Sequence, residues 1–448
     1  MRLYSTNNRS HFVSLKKAVF KGLPEDRGLY MPERIPVLSK DFIQQLKQYS
    51  FPEIGFEISK SLFEGAIPLP DLRKIIENAI TFPAPLVALD EQKFMLELFH
   101  GPSLAFKDFG ARFMAQLMGY LNQGEDKELV ILVATSGDTG GAVAAGFYQT
   151  PGIRVVILYP SGKVSPLQEK QLTTLGDNIT ALEIEGTFDD CQDLVKKAFL
   201  DETINVRFRL GSANSINIAR LIPQSFYYFE AYRQVQVLKN ETNPKVVFSV
   251  PSGNFGNLTA GIIAHKMGLP VEHFVAATNA NNIVPKYIET GNYSPRPSVR
   301  TLSNAMDVGN PSNFSRLLDL FAESATSNEE RSTWNNMRGK ISGFAFNDEK
   351  TKQAIIEIFH SYNYIADPHA AVGYLALLEY FEKKGAENTT GIIFETAHPS
   401  KFKEDMDEIL GQEVPVPERL AVLTHRKKEA TLLNNTYPVF KSWLIETL

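Results

Sequence analysis

From Leu129 to the end of the chain, short apolar runs alternate with segments of helical spacing. Leu129–Ala134 is a continuous apolar run, followed by a glycine-rich turn and a small-residue helix predicted over Ala142–Tyr148. Arg154–Tyr159 and Ile179–Ile184 repeat the strand pattern, each ahead of a helical segment, Pro166–Leu175 and Phe188–Leu200. Lys245–Val250, a turn at Pro251–Asn257, a helix over Leu258–Met267 and the strand Phe274–Thr278 form a further unit, and Gly391–Thr396 is a late strand. Continuous apolar strands separated by helices predict open, mostly parallel sheets covered on both faces, an α/β architecture. Residues 1–92 lack this rhythm. They carry Pro24, Pro32, Pro36 and Pro52 with helical patches at Phe42–Tyr49 and Leu72–Ala79, and are read as a separate helical cap. Tyr293–Pro297 predicts a loop, and the polar stretch Glu323–Arg338 a solvent-facing helical region.

Composition narrows the function classes. A chain of 448 residues exceeds what one core normally supports, so more than one domain is expected. The net charge of −5, with signs interspersed, gives no basic stripe for nucleic acid. Cys191 is the only cysteine, which excludes an internal disulfide and a cysteine-rich metal site and agrees with a reducing cytoplasm. The polar start lacks the apolar core of a secretory signal, and no run approaches the roughly 18 apolar residues of a membrane span. The expectation is a soluble cytoplasmic protein without a bound metal.

Three segments carry candidate chemistry. Lys107 stands between Phe106 and Phe109, after the Gly101-Pro102 turn signal and before apolar residues at helical spacing (Phe113, Leu117, Leu121). Apolar flanks disfavour the ammonium form and leave a free amine that can form an imine, as pyridoxal-phosphate enzymes require. Taken alone, such a lysine more often snorkels to solvent. The turns Ala134-Thr-Ser-Gly-Asp-Thr-Gly-Gly141 and Val250-Pro-Ser-Gly-Asn-Phe-Gly-Asn257 each follow a strand and open a helix. Their hydroxyl and amide side chains, with backbone N–H groups at a helix N-terminus, suit anions, and two such turns predict two anionic groups in one crevice. Ser212-Ala-Asn-Ser-Ile-Asn-Ile-Ala-Arg220 opens an aromatic helix running through Phe226–Tyr232. Asn214 and Ser215 are good N-cap residues and Arg220 is either a surface arginine or a phosphate clamp. No dinucleotide fingerprint, P-loop, zinc-protease or nucleophile-elbow motif is present.

Together these segments resemble the threonine synthase family, pyridoxal-phosphate enzymes of the tryptophan-synthase-β fold type II. The resemblance rests on Phe99–Gly110, Thr135–Gly141, Ser165–Lys170, Asn214–Arg220, Ser252–Asn257, Leu302–Asp307, Thr396–Phe402 and, in the cap, Asp26–Pro32, all in order. It implies two open, mostly parallel sheet domains flanked by helices plus the cap. The expected divisions are a cap at 1–92, a large cofactor domain at 93–128 and 212–448, and a small substrate domain at 129–211. It implies pyridoxal 5'-phosphate as cofactor, bound as an imine by Lys107, which then shuttles protons. Phe106, Asp138, the run Ser252, Gly253, Asn254, Phe255, Gly256 and Asn257, and Thr396 would contact the cofactor. Asp138 stands where many relatives of this fold type carry Asn beside the cofactor's phenolic oxygen; an acid there repels that oxygen unless one of the two holds a proton. Thr396 would face the pyridine nitrogen, where a neutral hydroxyl limits the electron sink. Its plainer reading is a helix N-cap.

The implied substrate is O-phospho-L-homoserine, met by Thr135, Ser136, Thr139, Lys163, Asn214, Ser215 and Arg220. The implied reaction removes the γ-phosphate and adds water at the β-carbon, giving L-threonine and phosphate. Rivals are a phospholyase acting on the same substrate, a hydroxy-amino-acid dehydratase, and a catalytically silent relative that binds a phosphorylated ligand. A monomer or a homodimer is expected.

Overall fold

The computed structural model describes residues 1–135, 137–322 and 329–448. Two sheets dominate it. The six-stranded sheet runs, edge to edge, Ile341–Ala345, Val271–Thr278, Lys245–Pro251, Thr389–Glu395, Lys93–Glu97 and Leu86–Ala88, all parallel except the last pair. The five-stranded sheet runs Thr431–Asn434, Ile179–Glu185, Ile153–Pro160, Leu129–Ala134 and Arg209–Ser212, parallel throughout. Every residue of Leu129–Ala134 is buried, which is why that strand reads as an unbroken apolar run. The two faces of each sheet belong to different cores. One large cluster joins the cap, the Lys107–Leu121 helix and the inner faces of both sheets. A second lies under the Pro368–Lys384 helix, and a third under Phe188–Leu200 together with Phe440 and Leu444 of the C-terminal helix.

The cap differs from the expected helical unit. It opens with a three-stranded antiparallel sheet, Asn8–Ser14, Arg2–Ser5 and Tyr30–Pro32 in spatial order, before its helices Phe51–Phe63 and Leu69–Ala79. Asn8–Ser14 is exposed except for Val13, so it carried no hydrophobic signal. The end of the chain returns to the five-stranded sheet, beyond the expected limit at residue 211, because Thr431–Asn434 pairs with Leu182–Glu185. Leu86–Ala88, expected inside the cap, is an edge strand of the six-stranded sheet. Residues 323–328 of the polar stretch lie outside the described residues, and Glu329–Lys340 is helical. Among the described residues no helix is long and apolar enough to cross a membrane, and no group of His, Cys, Asp and Glu could hold a metal ion.

This topology positions the site. Lys93–Glu97, Thr389–Glu395 and Lys245–Pro251 are adjacent parallel strands, so the segments that follow them emerge at one carboxyl edge. Those segments lead to Lys107, Thr396 and Ser252. The carboxyl end of Leu129–Ala134, in the other sheet, delivers Asp138 to the same place.

Candidate active site

Lys107 is the first residue of the Lys107–Leu121 helix. The preceding segment is stitched to the turn after Glu395. Phe106 N–H donates to Thr396 O at 2.9 Å, Ala105 bridges Ala397, and His398 N–H donates to Leu104 O at 3.0 Å. Lys107 and Thr396 are thus fixed to each other by backbone. Thr396 is buried and caps no helix; His398 caps the short Pro399–Phe402 turn. Asp367 braces this turn from below, accepting from Ala397 N–H at 2.8 Å and Ala370 N–H at 3.0 Å.

Asp138 opens the Asp138–Phe147 helix and is buried. Its carboxylate lies 3.4 Å from Lys107 Nζ and 2.7 Å from Lys401 Nζ, and accepts from Gln168 Nε2 at 3.0 Å. Burial alone would push its pKa up, but Lys401 and Lys107 hold it far below the usual carboxylate range. Burial lowers the Lys107 pKa; Asp138 opposes this, while the charges of Lys401 and Arg220 add to it. Asp138 is therefore held in its ionised form, with Lys401 as its closer partner.

Arg220 is buried rather than on the surface, and burial lowers its pKa to about 10 against a partial offset from Asp108. Its Nη1 donates to Ala213 O at 2.8 Å, while Nε has no partner. The N-cap of its helix is Asn217 rather than Asn214 or Ser215, and the helix stops at Leu221 before a tight turn leads into Phe226–Lys239. Asn217 wins because its side chain accepts from Ala219 N–H at 3.0 Å while donating to Val19 O and Ser212 O. Asn214 and Ser215 are half-buried beside it.

In the 252–257 turn, Phe255 takes a left-handed conformation (φ 60°) that starts the Gly256–Lys266 helix. Ser252 is buried and its hydroxyl donates to Val250 O at 2.9 Å. A Cβ on Gly253 would stand 2.9 Å from both Ala305 O and Met306 Cα, so the turn packs directly on the 302–307 run. That run is itself pinned by Asp307, whose carboxylate accepts from Thr301 Oγ1 at 2.7 Å and Asn279 Nδ2 at 2.9 Å. Asn254 is exposed and turned toward Ser312. Asn257 Oδ1 accepts from Tyr227 and Tyr228 hydroxyls at 2.8 and 2.9 Å, leaving its buried Nδ2 without a partner.

Other expected contacts fall differently. The Thr135 hydroxyl accepts from Gly137 and Gly140 N–H groups at 3.0 and 2.9 Å and so shapes its own turn. Thr139 is half-buried on the next helix, and Ser136 lies outside the described residues. Lys163 is exposed on a turn, near enough to Asp190 and Cys191 to act on their charge, and is not among the side chains gathered around Asp138. Lys401, Gln168 and Gln171 were not anticipated. All three stand inside or beside segments of the resemblance, Ser165–Lys170 and Thr396–Phe402, which is the one signal they gave.

Known proteins resemble this chain along its whole length. Residues 2–80 match the family described as threonine synthase N terminus, 80–395 that of pyridoxal-phosphate dependent enzymes, and 370–443 that of threonine synthase, C-terminal. The threonine synthase of Haemophilus influenzae is 44% identical over 447 residues, covering 100% of both chains. The chain belongs to the threonine synthase family. The crystal structure of the Escherichia coli threonine synthase covers 100% of both chains at 42% identity with a TM-score of 0.89. That of the pyridoxal-phosphate-bound threonine synthase from Brucella melitensis gives 0.91 at 34% identity, covering 99% and 98%. Membership makes the chain a pyridoxal-phosphate-dependent enzyme of fold type II, with the function of a threonine synthase.

Proposed function

We propose that this chain converts O-phospho-L-homoserine and water to L-threonine and inorganic phosphate, with Lys107 as the covalent anchor of the cofactor and as the proton carrier. The observation that carries the site assignment is the convergence of a buried lysine amine, a partly unpartnered buried arginine and two helix-opening turns at one edge of the sheets.

The residues present fit pyridoxal phosphate. Lys107 offers an amine whose ammonium form is disfavoured by burial. The opening turn of the Gly256–Lys266 helix offers N–H groups without intrahelical partners, suited to a phosphate, with Ser252, Gly253, Asn254, Phe255 and Asn257 around it. Phe106, Asp138 and Thr396 complete the cofactor side. Bound there, the cofactor supplies an aldehyde for the substrate amine and a ring that spreads the electron pair left when a carbon loses its proton.

The chain's own residues do the rest. Lys107 Nζ, with a lowered proton affinity, takes the proton from the substrate α-carbon and returns protons later. Arg220 holds the phosphate before and after the C–O bond breaks, and its forked donors suit a tetrahedral dianion. Thr135, Thr139, Asn214 and Ser215 are the substrate contacts of this reading, with Ser136 and Lys163 proposed to join them. Cytoplasmic residence and a monomeric or homodimeric state complete this reading.

Product identification is the test. Supplied with O-phospho-L-homoserine and pyridoxal phosphate, the protein is expected to release threonine and phosphate in equal amounts, whereas 2-oxobutyrate with ammonia would overturn the proposal in favour of a phospholyase. Arg220→Met should lower kcat/KM for the phosphorylated substrate by about 100-fold, chiefly through KM, in steady-state assays. Gly253→Ala forces backbone apart at Ala305 and should weaken cofactor binding by about tenfold or more, read by absorbance titration of the cofactor-free protein.

A further inference from the structure

Lys401 is a cation in an unusual setting. Its side chain is 1% exposed, and its ammonium meets three acceptors: Ser103 O at 2.8 Å, Gln171 Oε1 at 3.2 Å and Asp138 Oδ1 at 2.7 Å. Those acceptors come from the segment before Lys107, from the Pro166–Thr173 helix and from the helix opened by Asp138. Gln171 Nε2 also donates to Ser103 O at 3.0 Å, closing the ring of contacts. All three N–H donors of Lys401 are engaged.

Asp138 is shared unequally between two lysines. Oδ1 is gripped by Lys401 and Gln168 Nε2, whereas Oδ2 stands 3.4 Å from Lys107 Nζ. We propose that Lys401 is a positioning residue for the reaction: by occupying Asp138 across the two sheets, it keeps that carboxylate from capturing Lys107 as a tight ion pair. A carboxylate beside the reactive amine would otherwise favour its ammonium form, which can neither bind an aldehyde nor take a proton. Lys401 supplies the opposing charge, and an Asp at position 138 becomes compatible with a working Lys107 because of it. The inference rests on the reading that Lys107 carries the cofactor.

The charged groups around this set are few. Lys107 faces Asp138, Lys401 and Arg220; Asp138 also feels His369; Lys401 and Arg220 feel Asp108. Removing the Lys401 charge leaves one carboxylate and one nearby amine, so the Lys107 ammonium is stabilised. Removing the Asp138 charge instead leaves two lysines facing each other, and the Lys107 ammonium is destabilised.

The test measures the Lys107 amine directly. Cofactor-free protein is exposed to an acetylating reagent across a pH series, and acetylation of the Lys107 peptide is followed by mass spectrometry. Lys401→Met should move the midpoint of Lys107 reactivity up by about one pH unit or more. Asp138→Asn should move it down, and the double variant Asp138→Asn with Lys401→Met should return close to the parent. If Lys401→Met fails to fold, Lys401→Gln, which keeps a donor without the charge, is expected to give the same upward movement. A midpoint left in place while thermal stability falls would mean that Lys401 only ties the sheets together, and the inference would be overturned. Borohydride reduction of the holoenzyme tests the underlying reading separately: cofactor fixed to a lysine other than Lys107 would reject that reading, whatever the acetylation midpoints.

Discussion

Lys107→Ala is expected to lose threonine formation by about 10³-fold or more, since both attachment of the cofactor and carriage of protons fall on this one amine. No neighbour replaces it. Lys401, the other buried amine beside Asp138, has its three donors committed to Ser103 O, Gln171 and Asp138. The 252–257 turn is untouched by the substitution, so the variant should still take up the cofactor, more weakly, and lose it on dialysis after borohydride treatment where the parent keeps it. The same variant is expected to be more stable than the parent when both are cofactor-free. Burial lowers the Lys107 pKa, so below the ordinary lysine value the unfolded chain binds a proton that the folded chain resists. That cost is greatest at neutral and acid pH and disappears as the pH rises to the ordinary lysine value. Thermal unfolding of the two proteins should therefore show a gap that closes with rising pH; a gap that stays constant would mean the amine is not held against its proton. Wild-type turnover together with wild-type stability would reject Lys107 as the site's reactive group.

Much of the architecture was legible where strands such as Leu129–Ala134 are buried on both sides and carry no polar interruption. Leu129–Ala134 and the Phe188–Leu200 helix fall where the apolar pattern puts them. The helix after the first turn begins at Asp138, ahead of the predicted Ala142, because Gly140 and Gly141 are helical. A Cβ on Gly140 would stand 2.5 Å from Thr135 Cγ2, so glycine there serves close packing and not chain reversal. The strand Thr431–Asn434 escaped notice for the opposite reason. It is an edge strand with three of its four residues exposed, so neither alternation nor an apolar run betrays it. Site residues divide in the same way. Lys107, Asp138, Ser252 and Arg220 sit in or just after turns whose local composition announces anions or a protected amine. Lys401 and Gln171 matter only through partners far away in sequence, such as Ser103 and Asp138, and no local pattern encodes such a meeting.

Arg316→Ala is expected to destabilise the protein by about 3–5 kcal/mol, read from the urea midpoint. Arg316 is fully buried, and the nearby Asp319 carboxylate offsets only part of the cost of burying its charge. Its guanidinium donates to Tyr30 O at 2.9 and 3.3 Å, to Ile216 O at 2.8 Å and to Asn313 Oδ1 at 2.7 Å. Tyr30 belongs to the cap sheet, Ile216 to the loop carrying Arg220, and Asn313 donates its N–H to Asn254 O in the 252–257 turn at 3.1 Å. One side chain therefore joins the cap to the segment carrying Arg220 and to the 252–257 turn. Truncation strands two carbonyl oxygens and leaves a large cavity, which is why the expected loss exceeds that of an ordinary buried hydrogen bond. Arg316→Lys should rescue little, because a single ammonium cannot reach three acceptors set out for a planar fork. Arg316→Met should fall between the two, restoring volume without pairing the carbonyls. The surviving folded fraction of Arg316→Ala should also bind phosphorylated substrate more weakly, since Ile216 and Asn313 lose their common tether. An unchanged urea midpoint would mean that water or a shifted side chain satisfies Tyr30 O and Ile216 O, and the tether between cap and active site would have to be sought elsewhere.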